Sequence, residues 1–266
     1  GTLNLMPIYR MRDGVKQLGN NKKVFEKCFT LLNNQNALMI FPEGSHDKRR
    51  TIRTLSKGFS RIIFGALEQN PALQIHIIPV GLTYQNPSVY PSNVCLHYGT
   101  PILANDFYKP LIINSEIKRL KDVITSQLKT LSVHIPLDEN YEKTLAKLTA
   151  ANVDFTKVER VNLMITSTII SGREKKVNLV SFIKPFILLN SIVPWFIWKH
   201  TESKINEFEF IDTFRYGINT ITVSVNFMIQ TYLVSYFYSW LSGIIYLASS
   251  LLLILLYSKF HPNSAK

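Results

Sequence analysis

Cysteine is almost missing from this chain. Cys28 and Cys95 are its only two thiols, in helix-like and strand-like apolar contexts, without the paired spacing of a metal site or a disulfide framework. Both read as core thiols in a reducing compartment. The six histidines form no His/Cys cluster at zinc spacing, so no metal is expected. The Gly-x-Ser-x-Gly elbow that exposes a hydrolase serine is absent as well, which leaves Ser45 in "EGSHD" as a turn residue. Helix-turn-helix, zinc and aromatic RNA-binding signatures are also lacking, and this excludes nucleic acid as the partner despite a net charge of +12. No signal peptide is visible, and a chain that opens at Gly1 in a strand-like run reads as a fragment.

Acidic residues are scarce in one region only. Residues 1–135 hold 17 Lys/Arg against 8 Asp/Glu, residues 136–178 hold 7 against 6, and residues 179–266 hold 6 against 4. The positive excess therefore belongs to the first half, where it can meet phosphate or an anionic membrane surface. In that half short apolar runs ("LNLMPIY", "ALMIF", "IHIIPVGLTY", "VCLHYG") alternate with the helical spacing of "GVKQLGNNKKVFEKCFTLLNNQ" and "LSKGFSRIIFGALEQ". Alternation of this kind predicts an α/β domain over 1–135, a mixed sheet with flanking helices. Ligands of such folds gather beyond the carboxyl ends of strands, where Arg10 and Glu43 fall.

Residues 136–178 are balanced in charge and read as a helical connector. Beyond it, residues 179–258 read as membrane-associated. From Tyr216 to Ser258 there is no charged residue, too long a run for one helix across a ~30 Å hydrocarbon core and suited to two helices of about 20 residues each. A transmembrane hairpin over about 216–258 is expected, turning near Tyr238 to Gly243. Lys204 and Arg215 flank one end, Lys259 and Lys266 the other, which predicts that both ends face the cytoplasm. The shorter "PFILLNSIVPWFIW" (185–198), broken by Pro194 and rich in aromatics, predicts an interfacial or re-entrant segment.

Glu43 follows a strand end and a proline, so it stands at a corner rather than on a solvated helix face. Behind it come Lys48, Arg49, Arg50, Arg53, Lys57 and Arg61 with no acid among them. Arginine clamps phosphate oxygens bidentately, lysine adds a point charge, and Gly44 lets the backbone approach closely. The bland alternative is a basic face attracted to anionic lipid. His46 beside Asp47 is not read as a catalytic dyad, because adjacent residues seldom orient one another's rings. It reads as a loop donor near phosphate.

The order of three segments gives these residues a context. "LMPIYR", "IFPEGS" and "IIPVGL", followed by "HYGTPI", resemble the second, third and fourth signature blocks of the glycerolipid acyltransferase family, over about residues 1–105. The resemblance implies that Arg10 holds the acceptor phosphate and that Glu43, Gly44 and Ser45 position the acceptor. It also makes His46, Arg49, Arg50 and Lys57 phosphate-binding candidates, with Pro79 and Val80 lining a pocket. The family's His-x-x-x-x-Asp, whose histidine deprotonates the acceptor hydroxyl, belongs upstream of the second block. None of the six histidines here has an aspartate five residues on; His134 has Glu139.

The expected activity is transfer of a fatty acyl group from acyl-CoA or acyl carrier protein to a glycerol-phosphate hydroxyl, without cofactor or metal. 1-Acyl-sn-glycerol-3-phosphate is the first acceptor, giving phosphatidic acid, and glycerol-3-phosphate the alternative. A rival of another class is a non-catalytic membrane lipid-binding protein. The chain alone is expected to be inactive for want of the His-x-x-x-x-Asp, and the whole protein to be a multi-pass membrane protein with a cytoplasmic catalytic domain. Membrane lipids are its expected partners.

Overall fold

The computed structural model describes residues 5–7, 20–44, 47–87, 92–167, 169–172, 182–205 and 210–260. The chain divides into two compact units, one of Gly1–Thr83, Val94–Ala146 and Phe155–Ile170, the other of Tyr84–Asn93, Lys147–Asp154 and Ser171–Lys266. The domain boundary expected at 135 falls inside the first.

In the first unit the two expected helices form as α1 (Asn20–Asn33) and α2 (Gly58–Gln69). Their apolar residues recur at three- and four-residue spacing, so each turns one stripe inward. Cys28 of α1 is buried, and burial pushes its thiol pKa up. Phe29 lies over Gly65, where a Cβ would meet the ring. Phe59, Ile63, Phe64 and Leu67 of α2 enter one core with Leu55, Ile75 and Ile102. A third helix, α3 (Ile113–Leu131), adds Leu120 and Ile124 to it. Its buried Glu116 is paired with Lys109 and Arg119, which offsets the cost of burying the charge.

The strands are shorter than their sequence pattern predicts. β1 (His76–Ile77) and β2 (Val80–Tyr84) are separate because Pro79 has no N–H to give a ladder. β3 (Val94–Tyr98) pairs with β2, while β4 (Ile102–Leu103) pairs antiparallel with β1 in the register His76 to Leu103 and Ile77 to Ile102. The single mixed sheet is thus replaced, among the described residues, by two two-stranded sheets. Ala37–Phe41 keeps a strand's alternation, with Leu38 and Ile40 partly buried and Met39 and Phe41 exposed, but it enters no described ladder. Of the expected strand at 3–9, only residues 5–7 are described, and they are not in a strand.

The connector folds as α4 (Tyr141–Ala150) and α5 (Val158–Ser167). In the second unit, 185–198 is two helices, α6 (Ile183–Asn190) and α7 (Ile192–Glu202), broken at Ser191. α8 (Ile211–Phe237) and α9 (Trp240–Phe260) follow, joined through Tyr238 and Ser239 and packed side by side. They approach closely at Gly243, where a Cβ would overlap Ser235 Oγ. Small residues allow such approach where lipid gives helices no hydrophobic reason to associate. Among the described helices only Trp240–Phe260 is long and apolar enough to cross a membrane. α8 falls short because Asn219, Thr222, Ser224, Asn226, Gln230 and Thr231 dilute its uncharged run.

Several of those polar groups meet at one point. The Asn190 carbonyl, left open where α6 ends, accepts from Asn226 Nδ2 and Gln230 Nε2, each at 3.1 Å. Asn190 Nδ2 donates to Ser250 Oγ at 3.0 Å, and Tyr246 Oη donates to Gln230 Oε1 at 2.8 Å. A helix break among apolar helices persists when its backbone groups are satisfied in this way.

Candidate functional site

The described residues between Pro42 and Ser56 belong to no helix or strand, and a hydrogen bond of 2.7 Å from Ser56 N to Pro42 O joins the two ends of this loop. Gly44, at φ +71°, makes the corner after Glu43. The left-handed backbone there, rather than lack of space, calls for glycine, since the nearest atom to an added Cβ is 3.9 Å away.

Inside the loop Glu43 faces Arg53. One carboxylate oxygen accepts from the Arg53 backbone N–H at 3.2 Å, and the other accepts from Nε at 3.3 Å and Nη2 at 3.1 Å. Glu43 therefore holds the loop across ten residues and aims the Arg53 guanidinium. Asp47 does the same locally for Arg49, accepting from its backbone N–H at 2.9 Å and from Nε at 3.0 Å. The Arg49 hydrogen bonds hold the Asp47 carboxyl down at about 2.

The next turn of chain is fixed from outside the loop. Arg50 N–H donates to Tyr141 Oη at 2.7 Å, and Arg50 O accepts from Ile135 N at 2.7 Å. Its guanidinium lies 3.7 Å from the centroid of the Phe155 ring. Burial lowers the pKa of this group to about 10, still a cation at neutral pH. Ile52 N–H donates to His134 Nδ1 at 3.0 Å, which places the imidazole proton on Nε2. His134 N–H in turn donates to Asn162 Oδ1 at 3.1 Å, while Asn162 Nδ2 donates to the carbonyls of Lys129 and Ser132, each at 3.0 Å. Asn162 thereby satisfies the open end of α3 and carries His134 to the loop.

The six clustered cations consequently have different roles. Arg53 and Arg49 are aimed by carboxylates and Arg50 is packed on an aromatic ring, whereas Lys48, Lys57 and Arg61 are exposed at the loop and the start of α2. Lys57 is the residue before Gly58 at that helix start. Pro79 is buried and its carbonyl accepts from Gly99 N–H at 2.8 Å, while Val80 is exposed. Arg10, Ser45 and His46 lie outside the described residues. Among the described residues no group of three or more His, Cys, Asp or Glu side chains is arranged to hold a metal ion.

Sequence reasoning counted Arg53 in the basic cluster without pairing it to Glu43, and missed His134, Tyr141, Phe155 and Asn162. An acid and a base ten residues apart in a loop carry no periodic signal. The other four belong to the segment after Ser132 and reach the loop only through tertiary packing.

His134 makes the loop sensitive to acid. Burial, helped by Lys129, lowers its pKa below 6.5. The folded state therefore favours the neutral ring; its contribution is complete above the unfolded pKa and is lost as pH falls through the folded one. Protonation of Nδ1 removes the acceptor for Ile52 N–H. Hydrogen exchange at Ile52 should accelerate as pH drops below 6.5, beyond the intrinsic trend, and this excess should vanish in His134→Asn. Equal profiles in both proteins would disprove the coupling.

Two comparisons with known proteins find similarity to the segment that carries this loop. Residues 2–83 match the model of the acyltransferase family, so the segment that carries Glu43, the basic cluster and Gly81 is similar to that family. The chain is 27% identical over 115 residues to glycerol-3-phosphate O-acyltransferase 1 of Saccharomyces cerevisiae, covering 41% of this chain and 15% of that protein. Against glycerol-3-phosphate O-acyltransferase 2 of the same yeast it is 26% identical over 120 residues, 44% of this chain and 16% of the relative. An uncharacterised acyltransferase of Schizosaccharomyces pombe is 25% identical over 103 residues, 37% and 15% of the two chains. The aligned stretch thus spans about a sixth of the length of these relatives. No solved structure matches.

Proposed function

We propose that this chain carries the acceptor-binding part of a membrane-associated glycerolipid O-acyltransferase, with glycerol-3-phosphate as acceptor. The observation that carries the reading is the Glu43–Arg53 pair. A carboxylate accepts twice from a guanidinium and once from the backbone N–H of the same arginine in a basic loop, within the segment that matches the family model. Motif order alone put 1-acyl-sn-glycerol-3-phosphate first. The activity for which the two yeast relatives are named favours glycerol-3-phosphate.

In this reading Arg10 and Arg53, with Lys57 nearby, bind the acceptor phosphate, and Glu43 with Gly44 and Ser45 set the angle at which the glycerol enters. The acceptor hydroxyl attacks the thioester carbonyl, its proton passes to a base, the C–S bond breaks, and the thiol leaves as the ester forms. The family resemblance assigns that base to a histidine with an aspartate five positions on, a pair that these 266 residues do not contain. General-base assistance is typically worth 10²–10⁴-fold, so the chain by itself does not turn over. Phospholipid synthesis at a membrane follows from the product. The second unit then anchors the enzyme with both ends of the α8–α9 pair on the cytoplasmic side, where the donor is found.

The test is an assay of the full-length protein with acyl-CoA and, separately, radiolabelled glycerol-3-phosphate and 1-acyl-sn-glycerol-3-phosphate, followed by lipid extraction. Product from the first substrate at a rate at least tenfold above the second supports the reading. The reverse preference returns the assignment to the monoacylated acceptor. No product from either, with both donors offered, defeats the enzyme reading in favour of a lipid-binding protein.

A further inference from the structure

The second unit contains a groove that the transfer reaction does not use. It has a volume of about 720 Å³ and runs between α8 and α9, lined on one side by Ser224, Met228, Thr231 and Ser235 with their neighbours and on the other by Trp240, Leu247 and Leu251. Volumes of roughly 300–1,000 Å³ are those of small-ligand sites. We propose that this groove holds a single acyl chain of a membrane phospholipid, independently of whether the first unit transfers acyl groups.

Length, polarity and charge agree on that occupant. The lining of α8 runs from Ser224 to Tyr236, which at ~1.5 Å per residue is about 18 Å. That is close to one leaflet, half of a ~30 Å hydrocarbon core. One end of the groove carries Tyr232, Tyr236 and Trp240, beside the turn at Tyr238. Aromatic rings of this kind settle at the headgroup level, so the occupant's polar end lies there and its chain runs toward Ser224 and Leu251.

No charged residue occurs from Tyr216 to Ser258, so nothing in the groove can pair a charged partner. A polypeptide would bring backbone donors and acceptors that need partners inside it. Among the described residues of the lining, Thr231 Oγ1 is the buried side-chain oxygen without a hydrogen-bond partner, far too little for a peptide backbone. The wall formed by α9 points the same way, because that helix is apolar enough to cross a membrane. Its Leu251, Leu252 and Leu255 are exposed.

A phosphatidylcholine bearing a diazirine on one acyl chain tests the proposal with the full-length protein in nanodiscs. Photoadducts should concentrate on Ser224–Leu251. Filling the groove from either wall, with Thr231→Phe or Leu247→Trp, should lower that yield at least tenfold. Leu252→Phe, which adds similar bulk at an exposed position outside the lining, should leave it unchanged. Gel filtration of each variant checks that it folds, and two filling variants on different helices keep the test open if one does not. Equal labelling of Leu252 and the groove would mean bulk lipid contact only and would overturn the proposal, as would no labelling at all. Disulfide formation between two copies of Met228→Cys would overturn it too, by seating a second copy there.

Discussion

Alanine at position 81 is expected to destabilise the first unit by about 3 kcal/mol, the upper end of overpacking costs. Gly81 lies in β2 on the side facing the end of α3, and a Cβ there would stand 2.2 Å from the Leu131 carbonyl oxygen and 2.5 Å from its carbon. Both are backbone atoms, so no side chain can rotate away. Retreat of Leu131 is opposed on two sides. Its carbonyl also accepts from His97 Nδ1 at 3.2 Å, and Asn162 ties the carbonyls of Lys129 and Ser132 to α5. Gly99→Ala provides the contrast. Its Cβ would overlap Gln127 Oε1 at 2.5 Å and Leu131 Cδ1 at 2.9 Å, the far ends of flexible side chains, and should cost about 1 kcal/mol. Urea unfolding of the two variants in detergent, followed by a probe in the first unit, measures the difference. A Gly81→Ala midpoint within error of the parent would refute the packing account.

That glycine belongs to "IIPVGL", a block that the sequence ties to catalysis only through family resemblance. The structure gives it a mechanical task instead. β2 presses on the end of α3, the end of α3 carries His134, and His134 receives Ile52 of the basic loop. Displacement at Gly81 should therefore reach the loop without touching substrate.

How much was legible in advance followed from range. α1 and α2 announce themselves through apolar stripes within a dozen residues, and the charge-free run from Tyr216 onward through composition alone. α3 carries an equally regular stripe but was not singled out, being charged on its outer face and distant from any motif. The strands were overestimated because alternation reports which side of a segment is buried, not whether a neighbour supplies a ladder. Ala37–Phe41 has the first and lacks the second. The site divided in the same way. Phe-Pro-Glu-Gly is contiguous and readable, whereas the contacts of Glu43 with Arg53, Arg50 with Phe155 and Ile52 with His134 join residues 10, 105 and 82 positions apart. Only the folded chain shows that a supposed acceptor ligand is first of all a clamp on an arginine.

That clamp gives the second large effect. If the proposed reading holds, then in the full-length protein Glu43→Gln keeps an oxygen for the Arg53 backbone N–H but removes the charge that orients the guanidinium. A charge-assisted hydrogen bond is worth ~1.5–3 kcal/mol, so kcat/KM for the acceptor should fall roughly 10- to 100-fold with the thioester's KM nearly unchanged. Arg53→Ala should fall as far, by removing the phosphate ligand itself. If the carboxylate acts through the arginine, the double variant should be no worse than Arg53→Ala alone, because two residues of one unit are not additive. Multiplied losses would mean that Glu43 meets the acceptor directly and that Arg53 binds elsewhere. A third pattern separates both from a basic membrane face: a change in salt-sensitive vesicle binding with acceptor kinetics in detergent intact. Steady-state rates with donor and acceptor varied separately, at two salt concentrations, distinguish the three, and acceptor kinetics unmoved by Arg53→Ala would remove the guanidinium from the site.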